Sequence, residues 1–379
     1  MTSPIQEEQP KYPPRDNSGR LKINFPQADS DFDPSLFYPL EKYPNNNKIG
    51  MLDVKNALIV LYRTLYSLGY SVNDVPPDES ELIFNWSGKH INYQTGGKTL
   101  IIEHGWLPRW SYQISDLGAN ARAHYAHSYQ YSDLTGEERE YVTAYTAKMK
   151  KLYEMGINPE KVEKLKAQIK TPFILFPFQM SNDFNLKYSN TEFEEFYSTK
   201  LEGNITFSQA CINYAEKGNP PLPIPFPILF KQHPMDKNTD IKQKLEISKD
   251  NLILENSDGV STGELFATGL CKAVVSINSN TIHEALMWNI PSISIGTLLW
   301  SENTVKKPFP SKIENIGEDI GSIIDKNVLE DEVVLSYLFH VLKNQWFLSD
   351  FQNPYMVKTL VETCGRCEPY TLRKEYGFV

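Results

Sequence analysis

The stretch Ala273-Val274-Val275-Ser276-Ile277-Asn278-Ser279-Asn280-Thr281-Ile282-His283-Glu284-Ala285-Leu286 decides how the chain is read. A short apolar run, a small polar turn and a helical pattern follow one another with nothing between them, the signature of a strand feeding a helix in an α/β sheet. The same rhythm extends in both directions. Apolar runs at 173–176, 228–231, 252–254 and 292–295 read as strands. Helical patterns at 208–215, 241–247, 263–270 and 281–288 separate them, predicting a parallel, doubly wound sheet. Ligands of such sheets bind beyond the carboxyl ends of the strands.

Toward the N-terminus, Val54, Ala57, Leu58, Leu61, Leu65 and Leu68 recur at helical spacing and stop at Gly69. Runs at 81–86 and 98–103 read as inner strands. Thr135 with Glu138 forms a capping box for a long helix with Val142, Tyr145, Met149 and Leu152 on one face. Asn158-Pro159 starts a second, charged helix, and the pair reads as a bridge between halves. Residues 1–20 read as a flexible arm and the following Pro/Asn-rich stretch to 47 as irregular lead-in. The expected division is therefore lead-in 1–47, a Rossmann-like domain at 48–170, a second at 171–345, and a segment 346–379 packing back on the first.

Composition agrees with an ordinary globular chain. At 379 residues, with 40% hydrophobic and 22% charged, it can hold about two domains and bury a core without staples. The balance of 38 Lys+Arg against 47 Asp+Glu, net −9, lacks the field that attracts nucleic acid. An aromatic content of 12% fills cores and also suits sugar grooves. No apolar run reaches the ~20 residues a membrane span requires, and the polar, proline-bearing start lacks a secretory core, so a cytoplasmic setting is expected. Cys364 and Cys367 form one C-x-x-C, which alone does not make a zinc site; no metal or cofactor is expected.

The strand ends supply the candidate chemistry. Gln179 and Asp183 follow the strand at 173–176, and Lys231 with Gln232-His233-Pro234 closes the strand at 228–231, where Pro234 restricts the histidine. Ser257 lies in the loop after 252–254. Asn278, Ser279, Asn280 and Thr281 offer hydroxyls and amides at a helix start, suited to phosphate, and Glu284 can accept from ribose hydroxyls. In the first half, Glu103-His104-Gly105-Trp106-Leu107-Pro108-Arg109 and Asp116 stand out. Glu103, His104 and Asp116 are all of a type that deprotonates a hydroxyl, and Trp106 and Arg109 are expected on the acceptor side.

Glu103-His104-Gly105, Gln179 with Asp183, Gln232-His233-Pro234 and Asn278-Ser279-Asn280 with Glu284-Ala285-Leu286 together resemble the capsule-polysaccharide glycosyltransferases, which include bacterial β-Kdo transferases and, more distantly, polysialyltransferases. The resemblance covers roughly residues 80–300. It implies the GT-B fold class, α/β with two Rossmann-like domains facing a cleft, and inverting, metal-independent transfer from a nucleotide sugar to a glycan or glycolipid acceptor. Glu103 would be the base, His233 the phosphate contact, Ser279 and Asn280 the phosphate loop, and Glu284 the ribose ligand. His104 stands where that family has a second acid, which leaves the base open among Glu103, His104 and Asp116. A CDP-glycerol-type polymer transferase, a nucleotide-sugar epimerase and a catalytically silent glycan-binding module are the competing readings.

Overall fold

A computed structural model describes residues 20–25, 51–73, 79–86, 98–179, 226–234, 252–254, 258–296, 298–299 and 316–377. The expected helices at 208–215 and 241–247 lie outside these residues, as do Asp183 and Ser257. The chain forms two compact units: Met1–Gly105 with Trp110–Ala119 and Asn344–Val379, and Trp106–Arg109 with Asn120–Lys343.

The first unit is built on a five-stranded sheet. Its elements begin with β1 (Lys22–Asn24), α1 (Met51–Ser67), β2 (Ser71–Val72), β3 (Leu82–Trp86), β4 (Lys98–His104) and β5 (Tyr112–Ser115). The strand order is β2-β1-β3-β4-β5, parallel except for the antiparallel β4–β5 pair. The stretch read as irregular lead-in therefore contains a strand. Ile23 and Phe25 are fully buried, and Phe25 stacks on Phe84 at 5.1 Å, so two apolar residues at strand spacing suffice once a neighbouring strand can pair with them. Gly69, at φ 83°, ends α1 in the left-handed turn that favours glycine.

In the second unit a 3₁₀ turn at Asn120–Arg122 leads to α2 (His124–His127), α3 (Gly136–Glu154) and α4 (Pro159–Ile169). The capping box at Thr135 and Glu138 is present. The buried face of α3 is Val142, Thr146 and Met149, whereas Leu152 is 39% exposed, because the apolar stripe drifts around a helix of this length. Both helices belong to the second unit.

There follow β6 (Phe173–Pro177), β7 (Ile228–Lys231), β8 (Leu252–Leu254), α5 (Thr262–Ala267), β9 (Cys271–Ser276), α6 (Thr281–Met287), β10 (Ser292–Ser294), α7 (Ile316–Ile323) and α8 (Glu332–Lys343). The sheet order β10-β9-β6-β7-β8 is parallel throughout, which makes β6 and β9 the strands on either side of the topological switch point. Each face of this sheet carries its own core. Ile174, Phe230 and Val275 pack with Ile316 and Ile320 of α7 on one side; Leu175, Leu229 and Val274 pack with Leu165 of α4 and Leu265 of α5 on the other. That alternation is the doubly wound, Rossmann-like arrangement.

Burial in this unit also encloses His340, whose Nε2–H donates to the Tyr125 carbonyl at 2.9 Å. Burial, reinforced by the Lys343 charge, lowers its pKa to about 3. Its unfolded value is near 6.5, so the unfolded chain binds more protons between those values, and stability is lost as pH falls through that window. The His340→Gln variant keeps an amide donor but cannot titrate. Urea unfolding at pH 6.5 and 5 should show it losing about 1.7 kcal/mol less than the parent chain over that interval; equal losses would show that His340 is not held neutral.

The C-terminal helices α9 (Leu348–Gln352), α10 (Pro354–Glu362) and α11 (Pro369–Glu375) return to the first unit. Phe351, Met356, Val357, Leu360 and Leu372 enter the same core as α1 and the sheet. Trp346 pairs with Tyr112 of β5 through backbone bonds of 2.8 Å in both directions. Under this layer Arg373 and Asp350 form a buried ion pair, Nη1 to Oδ2 at 2.7 Å.

Candidate functional site

A cavity of about 530 Å³ opens at the carboxyl ends of β6, β7 and β9, all within the second unit. Its walls include Gln179 after β6, Lys231, His233 and Pro234 at the end of β7, Asn278 to Thr281 after β9, Thr262, Glu284 and Arg109. The parallel strands run toward this edge, so the loops following them converge at the switch point.

The switch point is locked by an amide pair. Gln179 Nε2 donates to Asn278 Oδ1 at 2.8 Å, and Gln179 Oε1 accepts from the Asn278 backbone N–H at 3.2 Å. Both side chains are buried, which makes Gln179 a clamp between two strand ends. The loop after β9 is organised in the same way. Ser276 Oγ accepts from the Ser279 amide at 3.2 Å; Ser279 Oγ accepts from the Thr281 amide at 3.3 Å and donates to Thr281 Oγ1 at 3.1 Å. Those two amides and the Ser279 hydroxyl, expected to receive phosphate, donate within the loop itself, and Thr281 Oγ1 accepts there. Positive charge in the pocket comes from side chains instead.

Three side chains that carry or can carry a cation, Arg109, Lys231 and His233, line the cavity together with one carboxylate, Glu284. Glu284 takes a hydrogen bond from Thr262 Oγ1 at 3.0 Å, and burial raises its pKa against the opposing pull of Thr262, Arg109 and Lys231. Burial likewise lowers the pKa of Lys231, with Glu284 and Glu264 resisting, while Nζ donates to the Gln232 carbonyl at 3.3 Å. The Tyr153 hydroxyl is pushed up by burial and by the Glu284 charge. Two ionisable groups shifted toward their neutral forms signal a site in which charge is under-solvated, a property concentrated at binding sites.

Two residues expected on the acceptor side lie in the second unit. Arg109 lines this cavity with Lys231. Trp106 is 3% exposed, edge-on to Tyr125 with centroids 5.8 Å apart, and its indole N–H donates to Asn120 Oδ1 at 3.2 Å, so it has no face to offer a sugar. The reason is that the chain leaves the first unit after Gly105 and enters the second for Trp106–Arg109, where Tyr145 donates to the Leu107 carbonyl at 2.9 Å.

The base candidates lie in the first unit. Glu103 is partly buried near the end of β4, opposite Gln113 of β5, with Oε1 accepting from the His104 amide at 2.8 Å. The His104 ring stands edge-on to Trp86 at 5.0 Å, and its carbonyl accepts from Gln113 Nε2 at 2.8 Å. Gly105 is required by close packing: a β-carbon there would overlap the Ser111 side chain and come within 2.9 Å of its carbonyl carbon. Asp116 Oδ2 accepts from both Nε and Nη2 of Arg366 at 2.8 Å, a partner that sequence reasoning did not find. Thr262 and Tyr153 were missed too. Thr262 follows the cap residue Ser261 and is visible in the sequence as a helix start, whereas Tyr153, one turn after Met149 on α3, reads in the sequence as a core position with no sign of the Glu284 charge beside it.

Among the described residues no group of three His, Cys, Asp or Glu side chains is placed to hold a metal ion, and no helix is long and apolar enough to cross a membrane. No protein-family model matches the sequence, and no curated protein matches it. Solved structures that resemble the chain include the KpsC β-Kdo 2,7 transferase of Thermosulfurimonas dismutans, at 11% identity and TM-score 0.36 over 78% of this chain and 88% of that one. A second is the UDP-GlcNAc 2-epimerase of Methanocaldococcus jannaschii, at 14% identity and TM-score 0.35 over 81% and 85%. The wall teichoic acid polymerase TagF follows at 10% identity and TM-score 0.31 over 80% and 84%. At these values the likeness assigns no activity to this chain.

Proposed function

We propose that the cavity binds the phosphate and ribose of a nucleotide sugar, and that the chain is an inverting, metal-independent glycosyltransferase acting on a hydroxyl of a glycan or glycolipid in surface-polysaccharide synthesis. The observation that carries this reading is the local reversal of charge: in a chain of net −9, Arg109, Lys231 and His233 line one cavity with Glu284 at a Rossmann-like switch point. An anion with a polar, diol-bearing neighbour fits that set, with phosphate oxygens at the cations and ribose hydroxyls donating to Glu284. When the bond between the anomeric carbon and the phosphate oxygen breaks, Lys231 and His233 stabilise the charge left on the phosphate.

In the same reading Glu103 accepts the proton of the acceptor hydroxyl as its oxygen attacks the anomeric carbon from the opposite face. Asp116 suits that role less, since its Oδ2 is held by Arg366. The proposal includes a cytoplasmic setting and peripheral contact with a glycolipid acceptor. It is tested by a transfer assay with nucleotide-sugar donors in the presence of a chelator. Glu103→Gln should lower kcat by at least about a hundredfold, with His104→Ala and Asp116→Asn retaining most activity. Full activity in Glu103→Gln would remove the base, and an epimerised free nucleotide sugar as product would replace the transferase reading.

A further inference from the structure

His283 precedes Glu284 in α6 and points the other way, into the core, where it is fully buried. Its ring nitrogens meet Asn280 Oδ1 at 3.1 Å (Nδ1) and the Tyr337 hydroxyl at 2.7 Å (Nε2). The remaining bonds determine the direction of each proton. Asn280 Nδ2 donates to the Trp106 carbonyl at 3.0 Å, and a carbonyl can only accept, so the Asn280 oxygen must face the imidazole. Nδ1 therefore carries the hydrogen, and Nε2 is the acceptor for the Tyr337 hydroxyl, whose oxygen is bonded in turn by the Leu299 backbone.

We infer that His283, as the neutral Nδ1–H tautomer, is a positioning residue that holds Asn280 and, through the Trp106 carbonyl, the Trp106–Arg109 turn that brings Arg109 to the pocket. One directed chain runs Tyr337 O–H to His283, His283 Nδ1–H to Asn280, and Asn280 N–H to Trp106. Burial, with Arg109 as a further cation, lowers the His283 pKa to about 3, which keeps the ring neutral at working pH. A histidinium would have no lone pair for the Tyr337 proton and would break the chain at that bond. The Trp106 ring lies 6.4 Å from the imidazole, tilted by 50°, so the turn is also packed against the residue that anchors it.

The inference rests on the reading of the pocket as a nucleotide site, and two measurements separate the two. Nitrogen-15 NMR of the histidine-labelled full chain should show an Nδ1–H ring that does not titrate between pH 5 and 8 and is absent from His283→Asn. If the ring lost in His283→Asn is an Nε2–H ring, or one that titrates in that range, the relay is overturned. In His283→Leu the Trp106 indole cross-peak should move, and His283→Asn, whose amide N–H replaces Nδ1–H, should restore it; an unmoved cross-peak also overturns the relay. Calorimetry with inorganic pyrophosphate should then show His283→Leu and Arg109→Ala each weakening binding about tenfold, the double variant no weaker than the weaker single, and His283→Asn near the parent. Multiplying losses would make His283 independent of Arg109 and refute the coupling. If the parent chain takes no pyrophosphate while both NMR results hold, the pocket reading falls and the relay stands.

Discussion

Lys231→Met is expected to weaken binding of the nucleotide by about thirty- to a thousandfold, roughly 2–4 kcal/mol, while changing stability far less. Lys231 is the last residue of β7 and only 7% exposed, so its charge is poorly solvated before any anion arrives. Burial lowers its pKa, and Glu284 and Glu264 only partly compensate. A phosphate supplies the missing partner and raises that pKa again. Binding therefore takes up protons at pH values between the lowered pKa and the one the phosphate restores, and affinity falls as pH rises through that window. Calorimetry in two buffers of different ionisation enthalpy reads the proton uptake directly. Methionine keeps the apolar stem, and Glu284, already pushed up by burial, takes a proton more readily when Lys231 is gone, which limits the stability cost. An unchanged affinity would place the anion elsewhere.

Arg373→Met should destabilise the chain by about 3–5 kcal/mol, seen as a lower denaturation midpoint in urea. Arg373 and Asp350 are 5% and 3% exposed and tie together the C-terminal helices of the first unit. Arg373 Nη1 donates to Asp350 Oδ2 at 2.7 Å and to the Gln345 carbonyl at 3.1 Å, and its guanidinium lies 4.7 Å over the Phe347 ring. Asp350 also receives the Phe347 amide at 2.8 Å. Removing the arginine strands a buried carboxylate whose pKa burial already raises. Replacing both partners by apolar residues should recover part of the loss, because no uncompensated charge then remains. A loss below about 1 kcal/mol would mean the C-terminal helices do not depend on this pair.

Strands buried on both faces were easy to read, since Phe173–Pro177, Ile228–Lys231 and Cys271–Ser276 are near-continuous apolar runs with a turn at each end. β1 and β5 were harder. Lys22–Asn24 is three residues long beside a proline-rich stretch, and Tyr112–Ser115 alternates with polar Gln113 and Ser115 that are nonetheless buried. The donor-side candidates were legible because strand ends in a doubly wound sheet converge. Trp106 and Arg109 were misplaced for a related reason: proximity to Glu103 in sequence implied a shared domain, and the chain changes unit between Gly105 and Trp106. Long-range partners leave no local trace, as with Arg366, 250 positions from Asp116. His283 was hidden by its neighbour, one helix presenting Glu284 to the pocket and the imidazole to the core.

The most direct measurement is thermal unfolding of the full chain with UDP, GDP, CMP and CDP in turn, with Lys231→Met alongside. A nucleotide present at a hundred times its dissociation constant adds about 2.7 kcal/mol to stability. At least one of the four should raise the midpoint of the parent chain and shift that of Lys231→Met by no more than about a third as much. No shift with any of the four, or an equal shift in both proteins, would contradict a nucleotide site at the end of β7.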